Sequence, residues 1–327
     1  ESNEIKSDIT SFAYGDVDGD FVNEIVYVSN EGLVVADIGC ANVRTLIVYR
    51  GDGGTQWLRV FAGDWDSDGR VEILTNVFVN NQVITQMFVL VGAIHESPSL
   101  KIKKEFDALV VPLNINQTEK LFAQKWLGAG RWSNTASSLA LKDGKWVEDS
   151  SKIILHRGLS DNTVSLLSMT VMGDHVVRLT GDKKIVIQDL EGKSIWKSAI
   201  SYGSIGSVLN WQGKDALGVR QASDQIIPVR LIANGSDVVV VTSDDFLKSM
   251  IGTVPSVVSS RVVFLTRSRD GLIERAGLPN VSGAIVDAQV VDFNNDGIFE
   301  LLVAFQQPQT LSGYKKARTV FALVGMP

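Results

Sequence analysis

Three short acidic segments, all in the same phase, constrain this chain more than anything else in it. The first is Gly15-Asp16-Val17-Asp18-Gly19-Asp20-Phe21-Val22-Asn23-Glu24-Ile25-Val26. The second, Gly63-Asp64-Trp65-Asp66-Ser67-Asp68-Gly69-Arg70-Val71-Glu72-Ile73-Leu74, starts 48 residues later. The third is Val291-Asp292-Phe293-Asn294-Asn295-Asp296-Gly297-Ile298-Phe299-Glu300-Leu301-Leu302. Counting from the first Asp, each has acid or amide side chains at positions 1, 3 and 5 and a Glu at position 9, then enters an apolar strand. A unit repeated at such a period cannot bury its apolar face alone and must stack on its neighbours. The 48-residue spacing suits one four-stranded sheet with its turns, which is a propeller blade.

The rest of the chain reads as strands and turns. Leu33–Val35, Thr45–Tyr49, Met87–Val91, Ile185–Ile187, Val238–Val241 and Val262–Leu265 are rich in β-branched residues and bounded by Gly, Asp, Asn and Ser. There are 29 Gly and only 7 Pro, and no long segment has a 3.6-residue apolar period, so helix content should be low. The repeat decays in the middle. Leu113–Asn116 resembles a worn acidic loop, and Gly130-Arg131-Trp132 keeps the rhythm without the acids. Asp189–Trp196, Trp211–Asp215 and Arg269–Leu272 read as further turns. Counted as blades, these predict an all-β propeller of about seven blades, with six or eight also compatible. Residues 1–327 then form one domain, where length alone suggests two. Ile9–Tyr14 is expected to close the ring by pairing with the last blade near Thr319–Leu323.

A hard cation such as Ca²⁺ takes six to eight oxygens at about 2.3–2.6 Å. Alternate side chains of a tight loop converge, and the carbonyl at position 7 can join them. The candidate ligands are Asp16, Asp18, Asp20, Val22 and Glu24; Asp64, Asp66, Asp68, Arg70 and Glu72; and Asp292, Asn294, Asp296, Ile298 and Glu300. Up to three Ca²⁺ are expected. Gly69 and Gly297 hold position 6, where φ > 0 is easiest, whereas Phe21 holds it in the first loop, so that loop is expected to bend differently or bind more weakly. An EF-hand needs Glu at position 12 and flanking helices. Position 12 is Tyr27, Thr75 or Val303, so that motif is rejected. The competing reading is a set of plain Asp/Asn/Gly turns without an ion.

The loops resemble the calcium loops of FG-GAP/VCBS repeats, found in the integrin α-subunit propeller and in many bacterial secreted proteins. The match covers about 12 residues in each of three blades. No Gly-Ala-Pro occurs, and the Phe-Gly half survives only as Phe12-Ala13-Tyr14-Gly15 and Phe61-Ala62-Gly63. The resemblance implies a seven-bladed propeller with structural Ca²⁺ at one rim, outside the cytoplasm. Such proteins mediate adhesion, glycan binding or assembly, and a few are lyases.

No other motif carries chemistry. His95, His156 and His175 are scattered, and there is no Gly-x-Ser-x-Gly elbow or P-loop. Gly203–Ser207 lacks the Gly-Lys-Ser/Thr of a phosphate loop. Lys101-Ile102-Lys103-Lys104 reads as a solvated strand edge, too small for a nucleic-acid footprint. The lone Cys40 reads as a buried structural thiol, and the sequons at Asn116, Asn234 and Asn280 carry little weight. The start at Glu1, with no hydrophobic leader, fits a mature product or an excised domain. Trp57, Trp65 and Trp132 read first as packing between blades and second as a binding face. The net charge is −6, and eleven loop carboxylates would be met by +6 from three Ca²⁺. The expected function is non-enzymatic: an extracytoplasmic module, compatible with an envelope or cell-surface assembly, that binds a protein or surface glycan but no nucleic acid. The alternative is a polysaccharide lyase or hydrolase, which would require ionisable groups converging in the propeller mouth.

Overall fold

The computed structural model describes residues 5–38, 43–92, 98–156, 164–214, 220–245, 257–307 and 318–326. His95 and Cys40 lie outside these residues, as does Asp215. The described residues are almost all strand or turn, with a single 3₁₀ turn at Leu166–Ser168.

Six antiparallel sheets succeed one another along the chain. Blade 1 holds β1 (Ile9–Gly15), β2 (Glu24–Ser29), β3 (Gly32–Ile38) and β4 (Val43–Tyr49). Blade 2 holds β5 (Gln56–Gly63), β6 (Glu72–Val79), β7 (Gln82–Val91) and β8 (Ser99–Phe106). Blade 3 holds β9 (Leu109–Ile115), β10 (Thr118–Gly128), β11 (Arg131–Lys142) and β12 (Lys145–Ile154). Blade 4 holds β13 (Met169–Met172), β14 (His175–Leu179), β15 (Ile185–Asp189) and β16 (Ser194–Lys197). A separate two-stranded hairpin follows, β17 (Ile205–Lys214) and β18 (Arg220–Pro228). Blade 5 holds β19 (Ile232–Asn234), β20 (Asp237–Asp245), β21 (Val257–Ser268) and β22 (Gly271–Gly277), with β23 (Val281–Ser282) on β21. Blade 6 holds β24 (Ala284–Val291), β25 (Glu300–Gln306) and β26 (Thr319–Gly325).

Apolar side chains on both faces of each sheet build this ring. In β2 every residue is buried, and Val238–Val241 of β20 are each at most 1% exposed. Such continuous apolar strands need cover on both sides, which only neighbouring blades provide. Six buried clusters fill the gaps between successive blades. Blades 1 and 2 share Val26, Val28, Val60 and Phe88; blades 4 and 5 share Val177, Ile187, Val238 and Val263; blades 5 and 6 share Val239, Phe264, Ile285 and Leu301. Blades 6 and 1 close the circle through Phe12 and Phe321, whose rings meet edge-on at 5.1 Å.

The ring therefore has six blades, one fewer than the period count favours. The difference lies in the β17–β18 hairpin. Trp211–Lys214 is the end of a long strand, not a blade turn. Blades 4 and 5 touch directly through β13 and β19, so the hairpin is not a blade between them. It packs instead on β1, β5, β24 and the Leu166–Ser168 turn, and Trp132 of β11 donates to Gln225 at 2.9 Å. Leu209, Trp211 and Ile227 join the largest core cluster. Gln56, at the end of β5 remote from its acidic loop, bonds Val208 and Asn210. The hairpin thus lies across the mouth opposite the acidic loops.

Ring closure is also shifted. Ile9–Gly15 pairs with β2 inside blade 1, and it is Ile5 that bridges Thr319, with reciprocal backbone bonds of 2.9 Å. Gln306 adds side-chain bonds to Asp8 and Ile9. Phe12 and Ala13 are needed on the inner strand, where they are buried to within 1%, so the closing segment is taken from upstream.

Candidate metal centre and central well

Each blade joins its first strand to its second at the same rim. In blades 6, 1 and 2, three consecutive positions around the ring, that connection is an acidic loop. In blade 3 it is the tight turn at Asn116-Gln117, both with φ > 0; in blades 4 and 5 it is a short turn at Gly173 or Gly235. Leu113–Asn116 therefore sits where a worn loop should, but as strand and hairpin turn.

The three acidic loops share one backbone. Position 4 is left-handed in all three (Gly19 81°, Ser67 60°, Asn295 58°), and so is position 6 (Phe21 70°, Gly69 84°, Gly297 82°). Phe21 therefore does not bend its loop differently: it adopts the glycine conformation, with its ring 88% exposed. The hydrogen bonds repeat as well. The first carboxylate accepts from the position 6 N–H at 2.9–3.0 Å (Asp16 from Phe21, Asp64 from Gly69, Asp292 from Gly297). Asp20, Asp68 and Asp296 accept from the N–H two residues on at 2.7–2.9 Å. The terminal Glu reaches back to the position 2 N–H, from Val17 to Glu24, Trp65 to Glu72 and Phe293 to Glu300, at 2.9–3.1 Å.

In the first two loops these bonds fix carboxylates whose other oxygens converge: one oxygen from each of Asp64, Asp66, Asp68 and Glu72 lies within 4.8 Å of the others, whereas among the described residues the acids of the third loop form no such group and Asn294 donates to Asp296 at 2.9 Å. One oxygen from each of Asp16, Asp18 and Glu24 lies within 4.8 Å of the others, as opposite ligands of a Ca²⁺ at about 2.4 Å would. Glu24 is 1% exposed. Burial, with the nearby Asp18, Asp20 and Asp16 adding to it, pushes its pKa up to about 8. A divalent cation would relieve that strain, so the donor set fits one.

The second loop differs. Lys103 of β8 reaches into it, its ammonium on Asp66, on Glu72 at 2.7 Å and on Asp68 at 3.3 Å. Burial works against the charged lysine, but hydrogen bonds to Asp66 and Glu72 prevail and hold its pKa up. The Lys101–Lys104 run is thus not simply a solvated edge: Lys101 and Lys104 face solvent, and Lys103 serves the loop. Trp65 packs over Gly63, leaving no room for a Cβ there, and donates to Glu119 at 2.9 Å. Trp57 and Trp132 are core residues, 5% and 0% exposed.

Within the same rim opens a central well of about 510 Å³. All six inner strands line it, through Tyr14, Arg59, Leu113, Thr170, Ile232 and Gln289 among others. Arg59 and Arg230 reach its wall; nothing in the sequence marked them, since neither belongs to a motif. Asp287, 1% exposed, accepts from Ser11 Oγ (2.6 Å), Phe12 N (3.1 Å) and Arg230 Nη2 (3.1 Å). Tyr14 stacks on Phe293 at 5.4 Å, and burial chiefly raises its pKa.

No family model matches this chain, and no curated protein matches it. Among solved structures it is similar to Sqt1 of Chaetomium thermophilum (9% identity, TM-score 0.47, covering 98% of this chain and 87% of that one). It is also similar to BamB of Moraxella catarrhalis (12%, 0.41, 96% and 83%) and to the Dos1 propeller (11%, 0.42, 96% and 67%). Likenesses this distant bear on no residue of the rim or well. Among the described residues, no helix is long and apolar enough to cross a membrane.

Proposed function

We propose that this propeller is a non-catalytic protein-binding module whose working face is the acidic-loop rim, braced by Ca²⁺ and operating outside the cytoplasm. One observation carries the reading. Four large apolar side chains stand exposed at the tips of two neighbouring loops: Phe21 (88%), Val22 (60%), Ile298 (65%) and Phe299 (55%). Tyr14 ties these loops together by donating to Phe293 O at 3.0 Å. Exposed apolar side chains grouped on a rim and ringed by charge mark a protein interaction surface. Millimolar Ca²⁺ outside cells suits loops of this kind.

Phe21→Ser combined with Ile298→Ser is expected to leave stability within about 0.5 kcal/mol, because both side chains are solvated. It should weaken capture of the partner from a native extract at least tenfold, read by quantitative pull-down. Unchanged capture would move the binding face elsewhere.

Lys103 sets the calcium stoichiometry in this reading. Wild-type protein should take up two Ca²⁺, in the first and third loops, by equilibrium dialysis. Lys103→Met should take up a third. Tb³⁺ emission excited through Trp65 should rise several-fold in the variant, since that indole belongs to the second loop.

A polysaccharide-active enzyme is the second reading, favoured by the ionisable groups in the well. Two guanidiniums cannot act as bases, burial raises the Tyr14 pKa, and the carboxylates lining the well, Glu119 and Asp292, already accept from Trp65 and Gly297, which ranks that reading second. Release of unsaturated or reducing sugar from an acidic polysaccharide would reverse the order.

A further inference from the structure

We infer that the central well is a binding site for a small oxyanion, a carboxylate or a phosphate, held by Arg59 and Arg230. This rests on the well alone, not on the acidic loops. Arg59, from β5, is 4% exposed; the Arg230 side chain, from the segment before β19, is 14% exposed. Among the described residues Asp287 is the carboxylate that acts on both, so two guanidinium charges face a single countercharge in a low-dielectric setting. Burial lowers the Arg59 pKa to about 10, with Arg230 adding to the fall and Asp287 opposing it. An uncompensated buried charge is destabilising, and strongly perturbed ionisable groups in a cleft cluster at functional sites.

The donors point the same way. Among the described residues, Arg59 donates only to Pro228 O, at 2.7 Å. Arg230 donates only through Nη2, to Ser11, Phe12 O, Val60 O and Asp287 at 2.9–3.3 Å, and its Nε is buried with no partner. Each guanidinium has five N–H donors. Apart from the enclosed Nε of Arg230, the remaining donors on the two forks match the paired oxygens of a carboxylate or phosphate. Phe61 supports the Arg230 plane at 4.8 Å, and Gln289, fixed by Phe12 O at 3.2 Å, lines the same cavity. A well of about 510 Å³ holds a ligand up to the size of a monosaccharide acid.

The acids nearest the opening are already engaged. Asp292 accepts within its loop, and Glu119 accepts from Trp65, with burial raising its pKa. They leave the depth of the well positive and its edge acidic, an arrangement that admits a compact anion and disfavours a polyanion.

The test uses the full chain in EDTA at constant ionic strength, with inorganic phosphate, malonate and chloride as separate probes. Wild type is expected to show a saturable rise in Tm of several degrees with phosphate or malonate and none with chloride; whichever acts at lower concentration identifies the oxyanion. Arg59→Met is expected to raise Tm in ligand-free buffer, because it removes the excess charge, and to abolish the anion-dependent rise. Arg59→Lys should keep a weakened response, about tenfold lower in affinity, having charge without the fork. A wild type that responds to neither probe overturns the inference. So does an Arg59→Met protein that melts lower than wild type yet keeps its anion response, since Arg59 would then be structural.

Discussion

Replacing Asp287 with alanine should destabilise the propeller by about 3–5 kcal/mol, the loss typical of breaking a buried ion pair by removing one partner. The residue is in β24, where the pairing with β25 shifts register between Ile285 and Asp287. From there its carboxylate crosses to blade 1, accepting from Ser11 and Phe12, while Arg230 approaches from the start of blade 5. One side chain thus joins three blades across the place where the chain's ends meet. Its loss leaves two buried guanidiniums facing each other and strands the N–H of Phe12. For a chain of this size the change should lower Tm by about 5–10 °C. Asp287→Asn, which keeps the acceptor and loses the charge, should fall between wild type and Asp287→Ala. A loss below 1 kcal/mol by urea unfolding would mean that the ring does not depend on this junction.

Chelation should have an effect of similar size. Binding to the native state alone stabilises by RT ln(1 + [L]/Kd), about 2.7 kcal/mol per site at a hundredfold excess over Kd. Two sites give about 5 kcal/mol between saturating Ca²⁺ and EDTA. The pH dependence separates this from a general salt effect. In EDTA, Glu24 carries a folded pKa of about 8 against an unfolded value near 4.5. A carboxyl raised in this way binds more protons folded than unfolded, so its stability is fully present below about 4.5 and is lost as pH rises towards about 8. Chelated protein should therefore melt lower at pH 8 than at pH 5.5. Ca²⁺ should close that gap, since the cation stabilises the ionised form. Equal melting curves in Ca²⁺ and EDTA at pH 8 would remove the metal from the first and third loops.

The strands and the acidic loops were legible because each is written locally. Runs such as Val238–Val241 and Val262–Leu265 occur where expected, and the 1-3-5-9 spacing folds into one backbone three times over. The blade number was less so. A long hairpin and a blade have similar composition; what separates them is whether the flanking strands meet, and β13 with β19 do so only in three dimensions. The bend at Phe21 was misread because its bulk argues against φ > 0. The ordering of Asp16, Asp18 and Asp20 by backbone N–H groups outweighs that cost. Lys103 was misread because its partners are more than 30 residues away, and the arginine pair because a lone Arg in a strand carries no pattern.

The hairpin laid over the far mouth gives the ring a kinetic asymmetry. A tube offers two routes to its axis; among the described residues the hairpin covers one of them, and the well opens through the other, between the acidic loops. Arrival and departure of anything inside then share a single doorway, and whatever docks on Phe21 and Ile298 stands in it. A small occupant would have to enter before such a partner and could leave only after it, so the partner would lengthen the occupant's residence time without touching it.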